Sequence, residues 1–154
     1  FDKVKDAALR LRDLLADLGL ETFALLSGGK GIHVVAPLQP AAAWPEVKSF
    51  AERFSRAIAE TEPELFTANI RKNQRKGRIF LDWLRNQRGA TAVMPYSARA
   101  RPHAPVAAPV NWSELDDIDS AAAFTIRDAS RLLDRAGSKR LAGWGEASQS
   151  LPRF

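Results

Sequence analysis

Apolar residues recur at helical spacing near the start of the chain. Between residues 2 and 18 they fall three or four positions apart, which gathers them on one face of a helix. They are Val4, Ala7, Ala8, Leu11, Leu14, Leu15 and Leu18. Gly19 follows, and glycine readily ends a helix in the left-handed conformation. The pattern therefore predicts a first helix over residues 2–18.

Two further segments show helical patterns. Residues 44–61 carry Pro45 at a position that suits the first turn of a helix, and they have one apolar face. That face consists of Val47, Phe50, Ala51, Phe54 and Ile58. Thr125 and Asp128 are spaced as in a capping box, which predicts the start of a third helix. Its apolar face would hold Ala129, Leu132 and Leu133.

Short β-prone runs account for much of the remaining pattern. Residues 22–26 and 32–37 flank the glycine-rich stretch 27–31, an arrangement typical of two strands joined by a turn. Residues 78–84 form another run in which apolar side chains predominate. These three runs are predicted to be strands.

The later part of the chain is rich in proline and less regular. Prolines at positions 95, 102, 105 and 109 allow only short strands, at residues 91–96 and 105–110. After a domain covering residues 1–136, residues 137–154 are predicted to be a loosely ordered tail. Helices and strands mix without a regular βαβ alternation, which favours an α+β fold with a mainly antiparallel sheet flanked by helices.

Composition narrows the possible classes of protein. The 154 residues, 45% hydrophobic and 27% charged, suit one globular domain and exclude collagen, a disordered tail and a coiled-coil rod. The chain has no cysteine, which excludes disulfides and thiolate metal sites. It has no apolar run near the roughly 18 residues of a membrane span. Because it begins at Phe1, within a helical pattern, we expect it to be a piece of a longer protein.

Positive charge is concentrated in one segment. The net charge is +5, yet residues 71–101 alone hold nine basic residues against one acid, Asp82. The rest of the chain is therefore slightly acidic. Such a basic block predicts a site for phosphate or nucleic acid. A solvated basic surface is the alternative.

The stretch 27–31 is the first candidate site. Its glycines allow close approach of a ligand, and their N–H groups could face an anion. Ser27, Lys30 and the nearby His33 add a hydroxyl, a positive charge and a further donor. The spacing is not that of a Walker A loop, because Gly31 follows the lysine where that motif requires Ser or Thr. A plain hairpin turn is the alternative.

Asp82 is the second candidate. In a strand over residues 78–84 it would share a face with Phe80 and Leu84. A carboxylate in a half-buried strand is costly unless it is paired or binds a metal. The pattern leaves open an ion pair with an arginine of the block and a metal-binding or catalytic role.

Three segments, in this order, resemble the primase-polymerase domain of bacterial ligase D, which belongs to the archaeo-eukaryotic primase superfamily. They are residues 27–38, 71–86 and 95–102. The resemblance implies an RRM-like α+β catalytic core. It also implies a nucleotidyltransferase that adds ribonucleotides or deoxyribonucleotides to DNA ends and gaps during bacterial non-homologous end joining.

The resemblance also implies cofactors, partners and residue roles. Mn²⁺ or Mg²⁺ would be the cofactor, with Asp82 as a catalytic metal ligand. Partners would be primer-template DNA ends, nucleoside triphosphates, a fused or associated ATP-dependent DNA ligase domain and the Ku protein, in the bacterial cytoplasm at the nucleoid. The expected nucleotide-binding residues are Ser27, Lys30, His33, Arg75 and Arg99, and the possible nucleic-acid contacts are Arg71, Lys72 and Arg85.

The sequence departs from the family in its acidic residues. The family's other two metal-binding aspartates form an Asp-x-Asp pair upstream of the first helix, so we expect this chain to be the C-terminal part of the domain, inactive alone. Asp117 and Asp119 have that spacing, but they follow the other motifs and fall in a polar loop. Two interpretations stay open: a non-catalytic nucleic-acid or nucleotide-binding module, and an unrelated α+β domain with a basic face.

Overall fold

The computed structural model describes residues 1–153 and divides them into two compact units. The first comprises residues 1–38 and 93–152, and the second comprises residues 39–92 together with Arg153. The helices are α1 (Asp2–Asp17), α2 (Trp44–Thr61) and α3 (Ala129–Ala136). The strands are β1 (Phe23–Leu26), β2 (Ile32–Val35), β3 (Phe66–Thr67), β4 (Ile79–Phe80) and β5 (Ala108–Val110).

The first unit is built on a three-stranded antiparallel sheet. Its strand order is β2-β1-β5, with Leu25 opposite both His33 and Pro109. Leu26 pairs with Ile32, so residues 27–31 form the five-residue loop of a β-hairpin. The buried core of this unit contains Ala24, Leu26, Val106, Ala108, Val110, Leu115, Ile118, Phe124 and Leu132. The predicted α+β fold with an antiparallel sheet is confirmed in this unit.

The second unit packs α2 with a short parallel pair of strands, β3 and β4. Phe66 pairs with Ile79, and Thr67 pairs with Phe80. Trp83 is buried beside them, and its Nε1 donates to the carbonyl of Ala68 at 3.1 Å. This bond fixes the segment that follows β4.

Most of the predicted helices and strands are present. Helices α1 and α2 match the apolar patterns, and the capping box of Thr125 and Asp128 forms ahead of α3. The predicted strand over residues 78–84 is wrong beyond Phe80, because Asp82 accepts the N–H of Leu84 and turns the chain. The segment 91–96 is not a strand. It turns at its end, where Tyr96 has a φ of 69° and donates its N–H to the carbonyl of Ala107 at 2.7 Å.

The C-terminal segment differs from the loosely ordered tail that was expected. The ring of Trp144 lies 5.7 Å from that of Phe23, and its Nε1 donates to the carbonyl of Ala24 at 3.0 Å. The side chain of Gln149 bonds both the N–H and the carbonyl of Glu21. These contacts join the segment to the start of β1.

No helix within residues 1–153 is both long enough and apolar enough to cross a bilayer.

Candidate anion-binding site

Ser27 is held by bonds to each of its polar groups. Its N–H donates to the carbonyl of Gly31 at 3.1 Å, and its own carbonyl accepts a bond from the Arg99 guanidinium. Its Oγ accepts the N–H of Gly29 at 3.1 Å and that of Gly31 at 3.2 Å. The residue is only 7% exposed. The stretch 27–31 is therefore an ordered loop around one serine.

These bonds leave the Ser27 hydroxyl one free hydrogen-bonding function. A hydroxyl has two lone pairs and one hydrogen. Both lone pairs face backbone N–H groups, so the hydrogen remains to be donated. The expectation that the glycine N–H groups face an anion is wrong for Gly29 and Gly31, which point at Ser27 instead. The hydroxyl itself suits an acceptor such as a phosphate oxygen.

Gly28 allows Arg99 to approach this loop. Its φ is +73°, in the left-handed region that favours glycine. A Cβ there would lie 2.9 Å from Cγ of Arg99 and 3.3 Å from the backbone of Val106 and Ala107. Gly28 is required both by its backbone conformation and by the side chain that crosses it.

Cationic side chains surround the loop within the first unit. Lys30 is exposed at the tip of the hairpin, and Arg99 is half-buried beside Ser27. Arg101 follows two residues later, with its guanidinium beside Gly29. His33 lies on β2, two residues after the loop, and is partly buried. The structure thus places Ser27, Lys30 and Arg99 together.

The segment that carries the two arginines has an unusual backbone. Tyr96, His103 and Ala104 have positive φ angles of 69°, 67° and 45°. Such strained conformations are often found at functional sites, where surrounding bonds maintain them. Here the N–H of Arg99 donates to Pro105 at 2.8 Å and that of Ala104 to Arg101 at 2.9 Å. Both arginines therefore project from a fixed turn.

Tyr96 adds no charge to this region at neutral pH. Partial burial raises the pKa of its phenol above the ordinary value, and the nearby Arg135 opposes this with a smaller effect. The hydroxyl therefore stays protonated at physiological pH.

In the second unit Asp82 forms an ion pair. Its Oδ2 lies 3.1 Å from Nε of Arg85, whose NH1 also donates to the carbonyl of Thr91 at 2.7 Å. The Asp82 side chain is 38% exposed and lies after β4 ends, so the predicted half-buried strand position is wrong. The structure shows an ion pair within the basic block, and the metal-binding or catalytic role of Asp82 stays a prediction.

Arg75, also in this unit, is held by two contacts of its guanidinium. Its guanidinium lies 4.1 Å from the centroid of the Phe80 ring, and its NH2 donates to the carbonyl of Ile70 at 2.7 Å. Its Nε is buried and has no hydrogen-bond partner among the described residues. Arg71 and Lys72 are exposed on a short 3₁₀ turn. The roles that the resemblance implies for these three residues stay predictions.

The carboxylates do not form a metal centre by themselves. Residues 1–153 contain no cluster of three His, Cys, Asp or Glu side chains that could hold a metal ion. Asp82 is the one acid of the basic block, and it is paired with Arg85. Asp117 and Asp119 are exposed in the first unit. Two metal ions about 4 Å apart need several shared oxygen ligands, and this donor set does not supply them.

Comparison with known families shows which family the chain belongs to. Residues 1–139 match the family described as LigD, primase-polymerase domain. The chain is 42% identical over 139 residues to a multifunctional non-homologous end joining protein LigD of Pseudomonas aeruginosa, covering 90% of this chain and 16% of that protein. It is 40% identical over 115 residues to the LigD of Mycobacterium tuberculosis H37Rv, covering 75% of this chain and 15% of that protein.

A solved structure has a similar fold. The polymerase domain of Mycobacterium tuberculosis ligase D in complex with DNA superposes with a TM-score of 0.81 and 34% sequence identity. The match covers 92% of this chain and 49% of that one. This chain therefore spans about half of the solved domain and roughly a sixth of the two curated relatives.

Proposed function

Because this chain belongs to the LigD primase-polymerase domain family, we propose that it is part of a nucleotidyltransferase that extends DNA ends in bacterial non-homologous end joining. The proposal rests on the loop of residues 27–31 in this chain. Its buried Ser27 has only the hydroxyl hydrogen left to donate, and Lys30 and Arg99 belong to the same site. Such a group is suited to the phosphates of an incoming nucleoside triphosphate.

The proposed role of this loop is to bind and orient the triphosphate. The Ser27 hydroxyl donates to a phosphate oxygen, and Lys30 supplies a positive charge. Arg99 bonds the Ser27 carbonyl and keeps the loop in place while its remaining donors face the ligand. His33 is a further donor at the base of the hairpin. Donors that are fixed before the reaction stabilise the charge that develops on the leaving pyrophosphate.

The metal requirement is a separate part of the proposal. We propose that Asp82 supplies one oxygen ligand for Mn²⁺ or Mg²⁺ in the complete domain. Its Oδ1 accepts one bond from Leu84 and its Oδ2 one from Arg85, so each oxygen keeps a lone pair for a metal ion. Its exposure and its place as the one acid of the basic block support this role. Residues 1–153 do not complete such a centre.

DNA contact is proposed for the second unit. Arg71 and Lys72 are exposed, and neither side chain has a partner in the part of the chain that the structure describes. Arg85 is held by Asp82 and Thr91, so its predicted contact requires a rearrangement. The wider partners that we propose are a ligase region and Ku, in the bacterial cytoplasm; the name of the relatives supports only end joining and ligation.

A primer-extension assay tests the proposed activity. It needs a chain that carries the whole length of the family domain, labelled primer-template DNA, nucleoside triphosphates and Mn²⁺. Asp82→Ala should reduce nucleotide addition on the order of a hundredfold or more, since a metal ligand is lost. Asp119→Ala is the matched control and should keep the activity. A whole domain that adds no nucleotide would contradict the proposal, as would a fully active Asp82→Ala variant.

A second candidate function is nucleic-acid or nucleotide binding without catalysis. The lone carboxylate of the basic block favours it. Filter binding of DNA at several salt concentrations separates the two functions. A whole domain that binds with a steep salt dependence and adds no nucleotide would be a binding module.

A further inference from the structure

A cleft lies at the start of β1, at the opposite end of that strand from the loop of residues 27–31. Its volume is about 230 Å³, and its lining residues fall within three segments of the first unit, 21–23, 110–112 and 140–144. Pockets for drug-sized ligands measure roughly 300–1,000 Å³. This cleft therefore suits a smaller ligand, such as one ring with a short polar chain.

Two tryptophans contribute aromatic surface to the cleft. Nε1 of Trp112 donates to the carbonyl of Thr22 at 2.9 Å, and Nε1 of Trp144 donates to the carbonyl of Ala24 at 3.0 Å. Both indole N–H groups are thereby satisfied, while the two residues stay partly exposed. Aromatic rings attract one another in stacked and edge-to-face arrangements. The cleft therefore favours a ligand with a flat aromatic group.

Thr22 places a hydroxyl without a hydrogen bond in the lining. The residue is 6% exposed, and its side chain has no partner in the part of the chain that the structure describes. Polar groups of buried side chains usually have a partner, because leaving them unpaired costs free energy. Since Thr22 lines the cleft, a polar group of a ligand would supply that partner.

The charged side chains of the lining have opposite signs. Arg140 and Glu21 are both exposed, and neither forms an ion pair within residues 1–153. The carbonyl of Arg140 accepts a bond from Nδ2 of Asn111 at 3.1 Å, and the side chain of Gln149 bonds both backbone groups of Glu21. The two charges therefore stand on backbone that is held in place. A small ligand with one positive and one negative group would pair with both.

We propose that this cleft binds an aromatic α-amino acid. The ring lies against the tryptophans, the carboxylate pairs with Arg140, and the ammonium pairs with Glu21. The hydroxyl of Thr22 bonds one of these two charged groups. An aromatic side chain of another protein would offer a similar ring without the two charges, and the experiment below separates the two ligands.

A nuclear magnetic resonance titration of the isotopically labelled chain with L-phenylalanine tests the site. The indole N–H signals of Trp112 and Trp144 should shift. Those of Trp44 and Trp83, which belong to the second unit, should not. N-acetylphenylalaninamide keeps the ring but lacks both charges, and it should bind on the order of tenfold more weakly because two charged contacts are lost.

Variants of the lining test the role of each polar group. Arg140→Gln and Glu21→Gln should each weaken L-phenylalanine binding about two- to fivefold, as expected for exposed charge pairs. Lys139→Gln, at a neighbouring exposed cation outside the lining, is the matched control and should bind normally. Thr22→Val should weaken binding and keep the melting temperature, since the lost hydroxyl has no partner in the described chain.

The contrary outcomes are specific to this cleft. No shift of the Trp112 and Trp144 signals at about 10 mM ligand, where even a Kd of about 1 mM gives nearly full occupancy, would overturn the proposal. Equal binding of N-acetylphenylalaninamide would assign the cleft to an aromatic side chain of another protein and overturn the amino-acid assignment. Unchanged affinity in both Arg140→Gln and Glu21→Gln would overturn it as well. None of these results affects the proposed function, which depends on the loop of residues 27–31.

Discussion

At the scale of single residues, the hydroxyl of Ser27 both orders the loop and keeps a hydrogen to donate. Its lone pairs hold the N–H groups of Gly29 and Gly31, and its hydrogen stays available for a ligand. The sequence predicted a hydroxyl at this site because Ser27 adjoins the glycines. It did not predict that the loop would fold around that hydroxyl, because this depends on the conformation of five residues and on Arg99, 72 positions away.

Ser27→Ala should loosen the loop. The variant removes the acceptor of two backbone bonds, each worth about 1 kcal/mol net. Amide hydrogen exchange at Gly29 and Gly31 should become faster by roughly tenfold. Ser130→Ala, at an exposed serine of α3, should leave those amides unchanged. Unaltered protection of Gly29 and Gly31 in the Ser27 variant would mean that the hydroxyl does not order the loop.

Gly28→Ala should destabilise the first unit. The new Cβ would meet the stem of Arg99 at 2.9 Å, and alanine disfavours the left-handed φ of +73°. We expect a loss of about 1–3 kcal/mol in the free energy of unfolding, measured with urea. Gly31→Ala is a matched control, since its φ is ordinary and nothing lies within 4 Å. Equal stability of the two variants would contradict this role of Gly28.

At the scale of elements, the sequence predicted those helices and strands that depend on local patterns. It did not predict those that depend on pairing with a distant segment. The bounds of α2 follow from one apolar face and a proline in its first turn. Strand β3 was missed because two residues in a polar region become a strand only by pairing with β4. The predicted strand over residues 78–84 is too long, because the alternation of side chains along the sequence continues beyond Phe80. In the structure the turn at Asp82 ends the pairing with β3.

A buried ion pair joins three elements of the first unit. Oε1 of Glu114 lies 2.7 Å from NH2 of Arg135, with side-chain exposures of 12% and 10%. The same NH2 donates to the carbonyl of Pro109 on β5, and the guanidinium lies 4.9 Å from the ring of Phe124. The pair therefore connects the turn that follows β5 with α3.

Glu114→Ala should be strongly destabilising. It leaves the buried Arg135 charge unpaired, and such changes cost about 3–5 kcal/mol. Asp116→Ala, at an exposed acid two residues later, should change the free energy of unfolding by less than about 0.5 kcal/mol. Urea unfolding of both variants gives the comparison. A Glu114 variant as stable as the Asp116 variant would show that the pair does not support the fold.

At the scale of the whole molecule, the positive segment predicted from charge is divided between two units. Arg75 and Arg85 belong to the second unit, whereas Arg99 and Arg101 belong to the first. Within each unit some basic side chains donate hydrogen bonds to backbone carbonyls, and others are exposed to solvent. The sequence could not separate these groups, because partners such as the Ser27 carbonyl for Arg99 depend on the fold.

The acidic residues lead to a prediction for the chain as a whole. Because no described cluster of carboxylates can hold a metal, the 154-residue chain should bind Mn²⁺ with a dissociation constant above about 1 mM. Asp82→Asn should change that affinity little. Titration followed by the electron paramagnetic resonance signal of free Mn²⁺ measures it. Micromolar binding that is lost in the Asp82 variant would contradict the absence of a metal centre in residues 1–153.

The most direct test of the central claim is a nuclear magnetic resonance titration of the isotopically labelled chain with a nucleoside triphosphate. Triphosphate binding at the Ser27 loop predicts that the largest shift changes fall at residues 27–31 and 99–101. It also predicts that inorganic triphosphate reproduces them, because the phosphates carry the contact. Shift changes confined to other residues, or none at saturating ligand, would contradict the claim that this loop is the triphosphate site.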